Sequence, residues 1–173
     1  MRELFGVGVV LNIMEIEPEK FEKNKKDSEI FYKSIGEIYC PYLSATVSFN
    51  AKGLDHIKFK EWDKARSSIE QYVRLKLLRL APQILKCSHT LQEYFETKRL
   101  ERKKINARWE KVIVLVRYYG FIAIVNGSRM KIIVKEVEGG QKFFWSIIPF
   151  WKNKRLDNGK NEKILHNGDL EIQ

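Results

Sequence analysis

The chain has 173 residues and a net charge of +10 at neutral pH, from 32 Lys and Arg against 22 Asp and Glu, with 44% hydrophobic residues. That length and apolar content support one domain with a real core and exclude wholesale disorder. The basic balance points to nucleic acid, an anionic membrane or an acidic protein as partner, in that order, with a solvated surface as the plain alternative.

The apolar stretch Leu4 to Met14 is too short to span a bilayer and lacks the basic start and cleavage site of a secretory signal, so it reads as a buried strand or docking segment. Pro18 opens a helix, with Phe31, Ile35 and Ile38 at helical spacing and the polar run Lys23 to Asp27 as a loose link. Tyr39-Cys40-Pro41-Tyr42 ends it, and Ala45 to Phe49 has the texture of a strand. Leu54 to Lys60 is too short to type. Trp62 to Leu80 reads as a helix whose stripe is Ile69, Val73, Leu77 and Leu80, with Arg74, Lys76 and Arg79 off it. A further helix starts at Pro82, with Ile84, Ser88, Leu91 and Phe95 on one face. It passes into the charged run Lys98 to Lys104, a solvated helix end or loop before it is a nucleic-acid contact. Three strands are expected over residues 112–150, and the polar chain beyond Lys152 reads as a flexible appendage. The expected fold is α+β: N-terminal helices on one face of an antiparallel β-sheet that ends in a three-stranded meander. The expected division is an N-terminal extension (1–44), a main domain (45–152) and a tail (153–173).

The most informative strand is Arg129-Met130-Lys131-Ile132-Ile133-Val134-Lys135-Glu136. Its alternation places Met130, Ile132 and Val134 on one side and Arg129, Lys131 and Lys135 on the other. A row of cations on one face of a central strand suggests a phosphate-binding surface. Asn126-Gly127 is a strong hairpin signal, and Gly139-Gly140 suggests a second two-residue turn. With both turns, Lys135 lies opposite Tyr118 and Phe144, and Ser146 lies opposite Ile133 on the cationic face. The core face then collects Tyr119, Phe121, Ala123, Met130, Ile132, Val134, Phe143, Trp145 and Ile147. A one-residue slip would invert a strand.

Other constellations are weaker. There is no Gly-rich phosphate loop before a helix, no His-Glu-x-x-His, no nucleophile elbow and no carboxylate pair that stands out. Cys40 and Cys87 lack a zinc-ligand spacing and read as reduced thiols of a cytoplasmic protein. Each candidate has a plain structural explanation beside it. A lone histidine such as His56 or His89 more often supports a core, Tyr118 more often packs in a strand, and Ser146 could be merely small. His166 carries no role.

Leu54-Asp55-His56-Ile57 ahead of a helical region resembles a signature of the barnase/EndoU/colicin/RelE-like (BECR) ribonucleases, in particular their phage- and mobile-element-associated branch. So does a meander whose middle strand ends Ile132-Ile133-Val134-Lys135 and whose last strand reads Trp145-Ser146-Ile147-Ile148-Pro149. The resemblance covers roughly residues 45–152, on short motifs. It implies a helix-backed antiparallel sheet with a metal-independent ribonuclease site, no cofactor, and a toxin role checked by an acidic antitoxin or immunity protein. It matches His56 to the family's histidine, Lys135 to its basic residue on the third core strand and Ser146 to its last-strand hydroxyl. Related sequences often carry a second histidine where this chain has Lys58 and Lys60; His89 is the candidate substitute.

The chemistry implied is attack of a ribose 2′-hydroxyl on its own phosphate, giving a cyclic phosphate. A histidine suits the proton transfer, and fixed cations and donors suit the charge developing on phosphorus. The expected catalytic set is His56, Lys135, Ser146 and His89. The expected substrate contacts are Arg129, Lys131, Lys58 and Tyr118, the last as a stacking platform. The rival expectation is a non-catalytic RNA- or DNA-binding module that uses the same basic face. A third is a domain that neutralises an acidic protein. RNA is the expected partner, and no membrane is.

Overall fold

The computed structural model describes residues 16–61 and 64–150. The apolar stretch at 4–14, the tail at 153–173 and His166 lie outside the described residues. Helix α1 (Pro18–Ile35) begins on Pro18, runs unbroken through the polar stretch 23–27, and stops at Gly36, whose φ of 68° suits glycine. Ile38, expected on that helix, belongs to strand β1 (Glu37–Cys40), which pairs with β2 (Ala45–Ser48). The 44/45 boundary falls inside this hairpin, and Tyr32 and Cys40 lie in the main core, so residues 18–44 are integral to the domain.

Helix α2 (Ala51–Lys58) is capped by Asn50, whose side chain accepts from the Gly53 N–H at 3.3 Å. Strands β3 (Phe59–Glu61) and β4 (Lys64–Ala65) form a small separate pair. Helix α3 (Ser68–Leu77) starts with a Ser-x-x-Glu box: the Ser67 hydroxyl accepts from the Glu70 N–H at 3.3 Å. A 3-10 turn at Leu78–Leu80 leads into α4 (Ala81–Lys86). The α3 helix is shorter than the 62–80 expectation and turned about its axis. It buries Arg74 and Leu75 and leaves Ile69 exposed.

The long strands follow: β5 (Glu93–Ile105), β6 (Arg108–Val125), β7 (Ser128–Val137) and β8 (Phe143–Pro149). Strand β5 occupies the region expected as a helix end and loop. Each of its residues has a partner on β6, from Glu93 opposite Gly120 to Ile105 opposite Arg108. Long-range pairing decides that segment over local preference. Its charges serve an edge strand well, because they discourage pairing with another chain.

The six-stranded sheet runs β1-β2-β8-β7-β6-β5, antiparallel throughout except for one parallel contact, Ser48 opposite Phe143, between β2 and β8. The α+β class is as expected, with the meander four strands long and the sheet mixed. The helices bury Leu54, Ile57, Leu75, Leu78 and Leu85 against Phe121, Ile132, Val134, Phe144 and Ile147. The opposite face carries a smaller cluster of Val114, Val116, Tyr118, Ile133 and Ile148. No helix among the described residues is long and apolar enough to cross a membrane.

The β6–β7 turn is the expected one, with positive φ at both Asn126 (50°) and Gly127 (74°), and Tyr118 lies opposite Lys135. The β7–β8 connection is longer than a two-residue turn and spans residues 138–142. Lys135 consequently faces Phe143, not Phe144. Val134 keeps that shifted register, facing Phe144; a bulge with Trp145 as the extra residue then restores the expected one, with Ile133 facing Ser146. This puts Phe144 in the helix-side core and Trp145 with the cluster on the other face, the reverse of the two-residue-turn expectation.

Candidate functional site

Strand β2 leaves β8 after its single contact, so α2 and α3 lie along the edge of β8 that a neighbouring strand would otherwise cover. Gly53 makes this close approach of α2 possible. A methyl group there would overlap the Phe144 carbonyl oxygen and lie 2.6 Å from the Tyr32 hydroxyl, which itself donates to the Asn50 carbonyl at 2.8 Å. His56 lies one turn further along the same helical face. Its imidazole stacks on the Trp145 indole, with ring centroids 4.0 Å apart and planes 24° from parallel. The Lys135 ammonium sits 4.2 Å from the centroid of the same indole and 5.5 Å from that of Tyr118. The bulge at Trp145 is thus what brings residues 56 and 135 onto one side chain.

Two arginines complete the cluster. The Arg74 Nη1 donates to the Ser146 hydroxyl at 2.7 Å and reaches the Ile147 carbonyl at 3.5 Å. The Arg66 Nε donates to the His56 carbonyl at 3.1 Å. His56, Arg66, Arg74, Lys135 and Ser146 are all buried. Among the described residues, no carboxylate makes an ion-pair contact with Arg66, Arg74 or Lys135. Among the described residues, the Arg66 Nη2 and the Trp145 Nε1 are buried without a hydrogen-bond partner, and the His56 ring nitrogens have none of good geometry, only a looser contact with the Trp145 backbone.

The electrostatics follow from that packing. Burial, then the positive charges of Arg66, Arg74 and Lys135, push the His56 pKa down to about 3, outweighing an opposing interaction with the Trp145 backbone. Burial lowers Lys135 to about 8, with Glu101 pulling the other way. Burial also lowers both arginines, partly offset by Glu70; a guanidinium nevertheless remains charged at neutral pH. The result is a neutral imidazole among buried cations.

The remaining expected site residues are held elsewhere. Lys131 pairs with Glu93 at 2.7 Å, an approach that Gly120, directly opposite Glu93, leaves room for. Lys58 pairs with Glu29 at 3.0 Å. Arg129 is exposed, its guanidinium 4.5 Å from the Phe150 ring centroid. Tyr118 is fully buried beneath Trp145 and beside Phe95, so it is packing and not a stacking platform. His89 is exposed in the connection from α4 to β5 and lines a separate pocket with Ile122 and Ile124, so it does not join His56. Arg66 and Arg74 were not among the expected site residues. The legible signal for Arg74 was Leu75 and Leu78, three apart, which mark a different buried stripe from the one chosen.

An open groove borders Phe143, the cross-strand partner of Lys135. It is lined by Asn50, Lys52, Lys103 and the backbone around Arg102, together with the acidic Glu101 and Glu138. Among the described residues, no group of His, Cys, Asp and Glu is arranged to hold a metal ion. Comparison with family models, with curated proteins and with solved structures finds no match to this chain.

Proposed function

We propose that the chain is an endoribonuclease of the metal-independent kind, acting in the cytoplasm on RNA, with His56, Arg66, Arg74, Lys135 and Ser146 as its site. The observation that carries this reading is the buried cationic cluster itself, which no described carboxylate contacts directly. Buried cations that no described carboxylate contacts, around an imidazole with no well-formed hydrogen bond among the described residues, are expensive. A phosphodiester supplies what they lack: negative charge for the guanidinium and ammonium groups, and hydrogen-bond partners for the imidazole. In this reading the negative charge of the bound phosphate raises the basicity of His56, which accepts the 2′-hydroxyl proton and returns it to the departing 5′-oxygen. Arg74, Lys135 and the Arg74-held Ser146 hydroxyl stabilise the charge that builds on phosphorus as the 5′-oxygen leaves. The groove beside Phe143, with Lys52 and Lys103, is the path for the flanking RNA.

A second reading, RNA or DNA binding without cleavage, is favoured by low access: His56 is 6% exposed and Ser146 0%. One experiment separates the two. The full chain and its His56→Ala variant are incubated with RNA in EDTA, and product ends and salt-dependent binding are measured. Cyclic-phosphate ends that vanish in the variant support the nuclease. Intact RNA, bound by both chains with a steep salt dependence, supports the binding module.

A further inference from the structure

The β5–β6 hairpin outruns the rest of the sheet. Strand β7 pairs with β6 only from Val116 onward, whereas β5 and β6 continue together to Ile105 opposite Arg108. One side of this ribbon is used, since Val112, Val114 and Val116 pack in the smaller apolar cluster. The other side carries four consecutive cross-strand pairs: Lys98 with Leu115, Leu100 with Ile113, Arg102 with Lys111, and Lys104 with Trp109. Leu100 and Ile113 are each 69% exposed and Trp109 is 65% exposed. No acidic residue occupies any of those eight positions. The next pair along, Glu96 with Arg117, is closed on itself by an ion pair at 3.4 Å.

We infer that this face of the hairpin is a docking surface for an acidic, apolar protein segment. An exposed aliphatic pair and an indole flanked by unopposed cations have the make-up of an interface: an apolar centre with a charged rim. The charge selects the occupant. A second copy of the chain would bring the same cations against these, at a net charge of +10 per molecule. Nucleic acid would satisfy the four cations but leave the Leu100–Ile113 pair, which has no π-face, without a complementary surface. A segment alternating carboxylates with apolar side chains satisfies both. This surface lies on the opposite side of the ribbon from the residues that face Lys135, so it stands independently of any reaction at the buried cluster.

The test is selection of a random-peptide display library on the full chain, with affinities of the enriched peptides measured on two variants. Leu100→Ser/Ile113→Ser removes the apolar centre. Arg102→Glu/Lys111→Glu reverses the rim and keeps the inference testable if the first variant loses its hairpin. Enriched peptides should be net negative and apolar, and should bind each folded variant about tenfold or more weakly. Enrichment of neutral or basic peptides, or equal binding to the variants, would overturn the inference. So would a short single-stranded RNA that loses as much affinity on Leu100→Ser/Ile113→Ser as the peptides do, since the face would then read nucleic acid.

Discussion

The helix-side core and the free edge of β8 use their buried side chains in opposite ways. On the helix side, Leu54, Ile57, Leu75 and Leu78 meet Phe121, Ile132, Val134 and Phe144 in an apolar core. Around the free edge of β8, Arg66, Arg74 and Lys135 are buried with no ion pair among the described residues, beside His56 and Trp145 with polar atoms that lack a well-formed hydrogen bond. The first arrangement produces stability. The second costs stability in the unliganded chain, and such a cost concentrates where a ligand restores the balance.

Substitutions should separate the two. His56→Ala is expected to reduce RNA cleavage by about a hundredfold to ten-thousandfold, the usual worth of a general acid–base group, while leaving the thermal midpoint unchanged or higher. Leu75→Ala should do the reverse: it should cost about 2–5 kcal/mol by denaturant unfolding through loss of transfer energy and a residual cavity, with cleavage preserved under conditions where the variant is folded. A phosphate titration followed by thermal unfolding should stabilise the chain by about 2.7 kcal/mol at a hundredfold excess over Kd, and Arg74→Met should abolish that gain. Because a well-packed apolar group can replace a buried charge without loss, Arg74→Met should not itself lower stability in phosphate-free buffer.

A further expectation concerns pH. Burial and the neighbouring cations push the native His56 imidazole down to about 3, against 6.5 for the ordinary group. Below pH 6.5 the unfolded chain therefore binds a proton that the native chain refuses. Stability is full above that pH and is lost as pH falls toward the native value. His56→Phe should flatten this acid limb in denaturation curves measured between the two values. An unchanged limb would mean that other groups dominate it.

Much of this arrangement was legible in the sequence. Asn126-Gly127 fixes the pairing of Lys135 with Tyr118, because only residues tolerant of positive φ make that turn. The alternation from Arg129 to Lys135 separates cations from core correctly, and His56 and Ser146 do join Lys135 at one edge. What escaped depended on distant parts of the chain. The Gly139-Gly140 connection is longer than its sequence suggests, and only the bulge at Trp145 returns β8 to register. Strand β5 has no apolar periodicity of its own and takes its form from β6. Arg74 is buried because α3 presents Leu75 and Leu78 to the core, and a charged residue beside such a stripe gives no local sign that it will follow.

The central claim, that the buried cluster is built for a phosphate, is tested most directly by NMR titration of the His56 imidazole, with His89→Gln and His166→Gln removing the other two histidines. The account predicts a pKa far below the ordinary 6.5 without anion and a clear rise when inorganic phosphate or a dinucleotide is added, as negative charge offsets Arg66, Arg74 and Lys135. An imidazole that titrates near 6.5 in the free chain, or that ignores phosphate, would contradict it.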